Sequence, residues 1–210
     1  MAFPTSPSNN QVHRESGSNR TFVYDSTLGV WDQVKEAQSD ISNIAGHISN
    51  EVTGFAGIKY ASQWRVHTTF TGTANPITEN WEMVDNPAGF GQIGDPMGGP
   101  VAGVFSFPAT GIWWIDWKPR TYGAHSTASR MYAQIYCTQD NGSSWLDSGV
   151  AEIWVVSGAY TTGYCNYIFD VTSTTTHKVR FSVGHTNTSQ QLAGDNYNYN
   201  CVTFMRLGDT

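Results

Sequence analysis

Seven carboxylates, Glu79, Glu82, Asp85, Asp95, Asp116, Asp147 and Glu152, are the residues from which a glycosidase-type acid and base could be assembled. That chemistry needs two carboxyls held at a fixed separation across one sugar bond. No spacing pairs these seven, and acids in loops are ordinarily solvated. The histidines His13, His47, His67, His125, His177 and His185 include no His-x-x-x-His or His-x-His pair, so no metal site is predicted. No Ser occupies a Gly-x-Ser-x-Gly elbow, and no phosphate-binding loop is present. Cys137, Cys165 and Cys201 are odd in number and widely spaced, a poor disulfide framework, and are expected to be buried free thiols. The sequence therefore predicts no catalysis, no cofactor and no metal.

Recognition chemistry is easier to find. Tyr160, Tyr164, Tyr167, Tyr197 and Tyr199 sit in or near turns rich in Thr, Gly and Asn. Rings supply contact area at small entropic cost and amides add hydrogen bonds, which suits a sugar or protein partner. Asn196-Tyr197-Asn198-Tyr199-Asn200 would place both rings on one face if extended, and Tyr197 and Tyr199 are the candidate receptor-binding residues.

Composition agrees. Only 13% of the 210 residues are charged, so the surface must be covered by Asn, Thr, Ser, Gly and Tyr. The net charge of −6 offers no basic footprint for nucleic acid. No run is long and apolar enough to span a membrane. Met-Ala-Phe-Pro-Thr-Ser is neither basic nor followed by an apolar segment, so no secretory leader is expected, and the protein is expected to be made in a cytoplasm and to stay soluble or to leave by a route other than secretion.

Three segments should position these groups. Residues 1–29 carry a strand at Thr21-Phe22-Val23-Tyr24 and a weaker partner near Gln11-Val12-His13, with Gly17-Ser18-Asn19 as the turn. This reads as a small hairpin finished by Trp31, too small to stand alone. Residues 30–57 carry an apolar seam, Val30, Val34, Ala37, Ile41, Ile44, Ile48 and Phe55. Its average step of about 3.5 residues predicts a coiled coil, and Ile at both kinds of seam position favours three or four strands. A single amphipathic helix is the plainer alternative. Gln33, Gln38, Asp40, Ala45 and His47 flank the seam with few charges to select a different partner, so a homo-oligomer is expected. Residues 58–210 read as eight or more short strands with Gly-, Thr- and Asn-rich turns, a β-sandwich or jelly roll. Asp140-Asn141-Gly142 is a strong hairpin turn. Thr73 to Pro100 reads as a strap across the sheet, with Trp81, Met83 and Phe90 expected to be buried.

The chain resembles a trimeric fibre or appendage protein of tailed bacteriophages. Phe3-Pro4-Thr5-Ser6-Pro7-Ser8-Asn9-Asn10-Gln11, Phe22-Val23-Tyr24-Asp25-Ser26-Thr27 and Trp31 look like a short N-terminal virion module, which usually has glycine where this chain has Asn10. Thr69-Phe70-Thr71-Gly72, Phe105 to Trp113, Asp140 to Trp145, Asp170-Val171-Thr172, Lys178 to Phe181 and Phe204 to Thr210 together look like a jelly roll of the complement C-one-q and tumour-necrosis-factor (TNF) type.

The resemblance implies a mainly β homotrimer: an N-terminal β-hairpin, a short parallel trimeric coiled coil and a C-terminal jelly-roll knob. It implies a virion anchor at Phe3, Pro4, Phe22, Tyr24 and Trp31, and a knob interface that includes Ile112 and Trp114. The expected partners are capsid or tail proteins of the virion and a host surface glycan or protein. The expected place is the virion surface after assembly in the host cytoplasm. The expected role is a fibre or tail-fibre knob for host attachment, or a head fibre that only decorates the capsid, or else a cellular adhesin. Along Ile112 to Trp117 the strand period separates Trp113, Ile115 and Trp117 from Ile112, Trp114 and Asp116; the all-apolar first set is expected to face the core, and the resemblance implies that the second faces a neighbouring subunit.

Overall fold

The computed structural model describes residues 3–16, 20–33, 57–85 and 91–210. The chain divides into two compact units, Met1–Ala56 and Gly57–Thr210.

In the first unit, Asp25 reverses the chain. Its Oδ1 accepts hydrogen bonds from the amides of Thr27 (2.7 Å) and Leu28 (3.1 Å), its carbonyl accepts one from Gly29 (2.8 Å), and Gly29 takes a left-handed φ of 66°. The result is a three-stranded antiparallel sheet of β1 (Val12–Arg14), β2 (Thr21–Asp25) and β3 (Val30–Gln33). Two strand expectations change. The hairpin has a third strand, and Val30 pairs with Asp25 in that sheet instead of opening a helix. Spacing alone placed Val30 in the seam, whereas the Asp-Gly turn before it returns the chain to β2. There is no helix among the described residues, so the trimeric coiled coil is withdrawn from the fold. Val34, Ala37, Ile41, Ile44 and Ile48 and Phe55 lie outside the described residues, as does the turn at Gly17-Ser18-Asn19. Asn10 has a φ of 61°, the left-handed backbone that explains glycine at this place in the resembling modules.

The second unit contains β4 (Ala61–Val66), β5 (Phe70–Thr71), β6 (Trp81–Met83), β7 (Gly98–Val101), β8 (Val104–Ser106), β9 (Gly111–Lys118), β10 (Arg120–Tyr122), β11 (Ser129–Thr138), β12 (Leu146–Val155), β13 (Tyr160–Thr162), β14 (Cys165–Val171), β15 (Lys178–His185), β16 (Gln191–Leu192) and β17 (Cys201–Gly208). They form two broad antiparallel sheets, β12-β11-β15-β8-β7 and β14-β9-β17-β4-β6, and a smaller one, β13-β10-β16-β5. β9 alternates buried and half-buried residues throughout, and β11 does so from Ser129 to Cys137. Their inward sets, Trp113, Ile115 and Trp117 on one sheet and Met131, Ala133 and Ile135 on the other, share one apolar core. Phe105 and Phe181 lie 5.5 Å and 6.0 Å from the Phe204 ring across that core, and Trp117 lies 5.1 Å from Phe181.

Buried indoles also need a partner for their N–H. Trp113 donates to the carbonyl of Ala109 (3.1 Å), Trp117 to Asn200 Oδ1 (3.2 Å) and Trp81 to the carbonyl of Ile77 (3.0 Å). The strap is partly as expected: Trp81 packs on Phe105 and Phe181, but Met83 is exposed and Phe90 lies outside the described residues. Met83 is the last residue of a strand that pairs only with β4, so its outer side has no neighbouring strand. The three cysteines are buried and free. Burial pushes the Cys137 and Cys165 thiols up to about 12.

Candidate functional site

The outward residues of β9 meet those of its neighbours in rows. Trp114 pairs with Ile168 on β14 and with Met205 on β17, and Met205 pairs with Ala61 on β4. Ile168 is 60% exposed, and Trp114 and Met205 are half-buried. Ile112 lies one row away beside Asp170. The row on the other side is polar: Asn166, Asp116, Thr203 and Gln63, with Gln63 donating to Thr203 Oγ1 at 2.9 Å. Desolvation holds the Asp116 carboxyl above its ordinary value, with Lys118 opposing. An apolar row thus crosses a sheet whose other side is the core.

Tyr197 and Tyr199 belong to a second surface. Their segment is not extended: it is a series of bends with Asn198 at a φ of 60°. The rings still lie on one side, 6.2 Å apart, and are 67% and 49% exposed. Two features hold this loop. Asp195 Oδ1 accepts from the amide of Tyr197 at 2.5 Å, and the 2%-exposed Arg65 donates to the Asn196 carbonyl (3.1 Å) and to Asn198 Oδ1 (3.2 Å). Arg65 also binds Glu82 and, at 2.6 Å, Asp85, so a buried cation ties the loop to β4 and β6. Asn200 finishes the anchor by donating to the carbonyl of Ala193 (3.1 Å).

Arg120 joins Tyr199 to a third ring that spacing did not connect with it. Its guanidinium carbon lies 4.3 Å from the centre of Tyr199 and 4.2 Å from that of Tyr160, which packs 4.6 Å from Tyr122. Cation–π contacts of this kind stabilise by about 0.5–1 kcal/mol when exposed. Of the other tyrosines singled out by sequence, Tyr164 is exposed and Tyr167 packs against the core.

In the first unit, Phe3 stacks on Trp31 at 5.1 Å and meets Phe22 edge-on at 5.1 Å, while Tyr24 lies 5.3 Å from Trp31. Phe3, Phe22, Tyr24 and Trp31 thus pack against one another, and Pro4 is half-buried next to Phe3.

Among the described residues no three or more His, Cys, Asp or Glu side chains gather as a metal site. Nor is there a helix long and apolar enough to cross a membrane.

No protein-family profile matches the chain, and no curated protein does. Solved structures do. Eiger TNF from S. frugiperda is 9% identical over 73% of this chain and 95% of its own, with a TM-score of 0.49. Murine APRIL at pH 5.0 is 11% identical over 70% of this chain and 98% of its own, with a TM-score of 0.50. Murine APRIL at pH 8.0 is 11% identical over the same shares, with a TM-score of 0.47. These are an insect and a mouse protein, and they carry nothing specific to phages. The bacteriophage, fibre and tail-fibre terms of the sequence resemblance are therefore corrected to what the likeness supports, which is the fold. Residues 57–210 form a TNF-like jelly-roll β-sandwich.

Proposed function

We propose that the protein is a non-enzymatic structural component of a surface, displayed as a homotrimer whose jelly-roll heads contact or cover what lies opposite. One observation carries the reading: the uncovered row of Ile168, Trp114 and Met205 on a sheet already filled on its other side. Contiguous exposed apolar surface of this kind marks an interaction site. A second copy of the chain is the proposed occupant, with Ile112 and Trp114 in the contact and Asp116 at its rim. Tyr197 and Tyr199, with Arg120 and Tyr160, are the proposed contact with a surface glycan or protein.

A virion surface as the setting, and the first unit as the attachment point through Phe3, Pro4, Phe22, Tyr24 and Trp31, rest on the sequence resemblance alone. A cellular adhesin would use the same heads. Light scattering of the intact protein tests the trimer, and a monomeric wild type sinks it. Deleting residues 1–29 tests the attachment: the truncated trimer should fail to join particles, and normal incorporation would place the anchor elsewhere.

A further inference from the structure

Most arginines of the second unit end on a carboxylate. Arg65, Arg120, Arg130 and Arg206 each lie within ion-pair distance of an Asp or Glu. Lys178 and Arg180 differ. No carboxylate among the described residues pairs with either. Two residues apart on β15, they point to the same side of the sheet. In a chain of net charge −6, two uncompensated cations on one strand are a local inversion of sign.

Both line an open groove of about 430 Å³. Its polar part is short of acceptors. Lys178 Nζ donates to Ser106 Oγ (3.1 Å) and to the Thr174 carbonyl (2.7 Å), which leaves one of three ammonium protons unplaced. Arg180 Nε is buried with no hydrogen-bond partner. The chain itself leaves this guanidinium without a full set of acceptors, at a cost in stability. Desolvation also holds Arg180 below its ordinary pKa. The other part of the groove is apolar. The Arg180 guanidinium carbon lies 4.3 Å from the centre of Trp145, which fixes that ring in the wall, and Val101, 79% exposed, lines the same groove.

We propose that this groove binds an anionic sugar ring, a carboxylated or sulfated saccharide, with its acidic group between Lys178 and Arg180 and its C–H face against Trp145 and Val101. An inorganic anion would leave the apolar rim unused, and the volume is that of a small-ligand site. The groove shares no residue with the Tyr197 and Tyr199 surface, so the two assignments fail separately.

The test is a titration of the isotope-labelled full chain by NMR with glucuronic acid, glucose 6-sulfate, glucose and adenosine monophosphate. Both acidic sugars should shift signals of Lys178, Arg180 and Trp145, with affinity falling as salt is raised. Glucose should bind about tenfold more weakly or not at all, since it lacks the charge-assisted hydrogen bonds. Arg180→Gln should weaken glucuronic acid by about tenfold while its amide spectrum stays that of the folded chain. If that variant fails to fold, Lys178→Gln is read in its place. Tyr197→Ser with Tyr199→Ser should leave the titration unchanged. Glucose binding as tightly as glucuronic acid, shifts mapping elsewhere, or a charge-removing variant that binds like wild type overturns the site. Adenosine monophosphate binding more tightly than either acidic sugar overturns the sugar assignment.

Discussion

The two broad sheets of the sandwich use the same inward pattern and opposite outward ones. On β9 the outward Trp114 meets Ile168 and Met205, an apolar row with no charged partner within it, and Ile112 lies one row away beside Asp170. On β11 the outward residues are Arg130, Tyr132, Gln134 and Tyr136. Arg130 lies 4.3 Å over Tyr132 and 5.6 Å from the Trp154 ring, and its Nη1 donates to Glu152 at 3.1 Å. Gln134 donates to Asp147 at 2.9 Å. Both faces carry rings, Trp114 on one and Tyr132 and Tyr136 on the other, and it is their partners that differ. On β11 cations and carboxylates cover the rings and give water a polar edge, whereas on β9 the indole and the aliphatic chains lie side by side with no such cover. The first face is finished within one chain; the second is completed by another molecule in the function proposed here.

The sharpest way to break this comparison is to truncate neighbouring indoles on β9. Trp113→Ala should cost about 3–5 kcal/mol by opening a cavity in the shared core. That loss would appear as a large drop in the denaturant midpoint. Trp114→Ala should leave each subunit folded and dissociate the assembly in sedimentation. Equal loss of folding in both variants would mean that Trp114 belongs to the subunit core. Arg65→Met comes next. It removes a buried cation while Glu82 keeps partial access to water and Asp85 is mostly exposed, so the cost should be about 2–3 kcal/mol, below that of a fully buried pair. Amide exchange should rise first between Asp195 and Asn200, and unchanged exchange there would show that Asp195 and Asn200 hold the loop without Arg65.

Smaller effects sharpen the β11 side. Arg130→Gln should cost no more than about 1 kcal/mol, since its ion pair and ring contacts are half-exposed. A loss several times larger would show that this face, too, depends on a partner. The smallest effect is at the Asp140 turn. Hydrogen bonds from Ser144 and Thr138 lower the Asp140 carboxyl to about 2. A depressed folded value means that its contribution is complete above the ordinary carboxylate range and is lost as pH falls through about 2. The Ser144 amide signal should follow that titration, and Asp140→Asn should flatten it.

Much of this architecture was legible in local pattern. The period-two alternation of β9 assigned Trp113, Ile115 and Trp117 to the core, because each residue's face follows from its neighbours along the strand. Asp140-Asn141-Gly142 announced its turn, since Asn141 and Gly142 both adopt left-handed φ, 57° and 89°. The wide cysteine spacing correctly suggested buried thiols. Periodicity failed at Val30, where a single residue fitted a helical step but an Asp-capped turn one strand earlier decided its pairing. Tyr197 and Tyr199 were found as rings that an extended chain would place on one face; they do share a side, but through a bent segment in which Asn198 takes a conformation that alternation does not encode.

The sequence by itself determined most of the longer strands, the inward sets of β9 and β11 and the polar, uncharged surface. Only tertiary structure decided which distant groups share a place: Arg120 between Tyr160 and Tyr199, Arg65 beneath the tyrosine loop, and Lys178 with Arg180 facing Trp145. The reason is range. A strand's period acts over two residues, whereas these contacts join segments from 33 to more than 130 residues apart and arise only when strand order in the sheets brings them together.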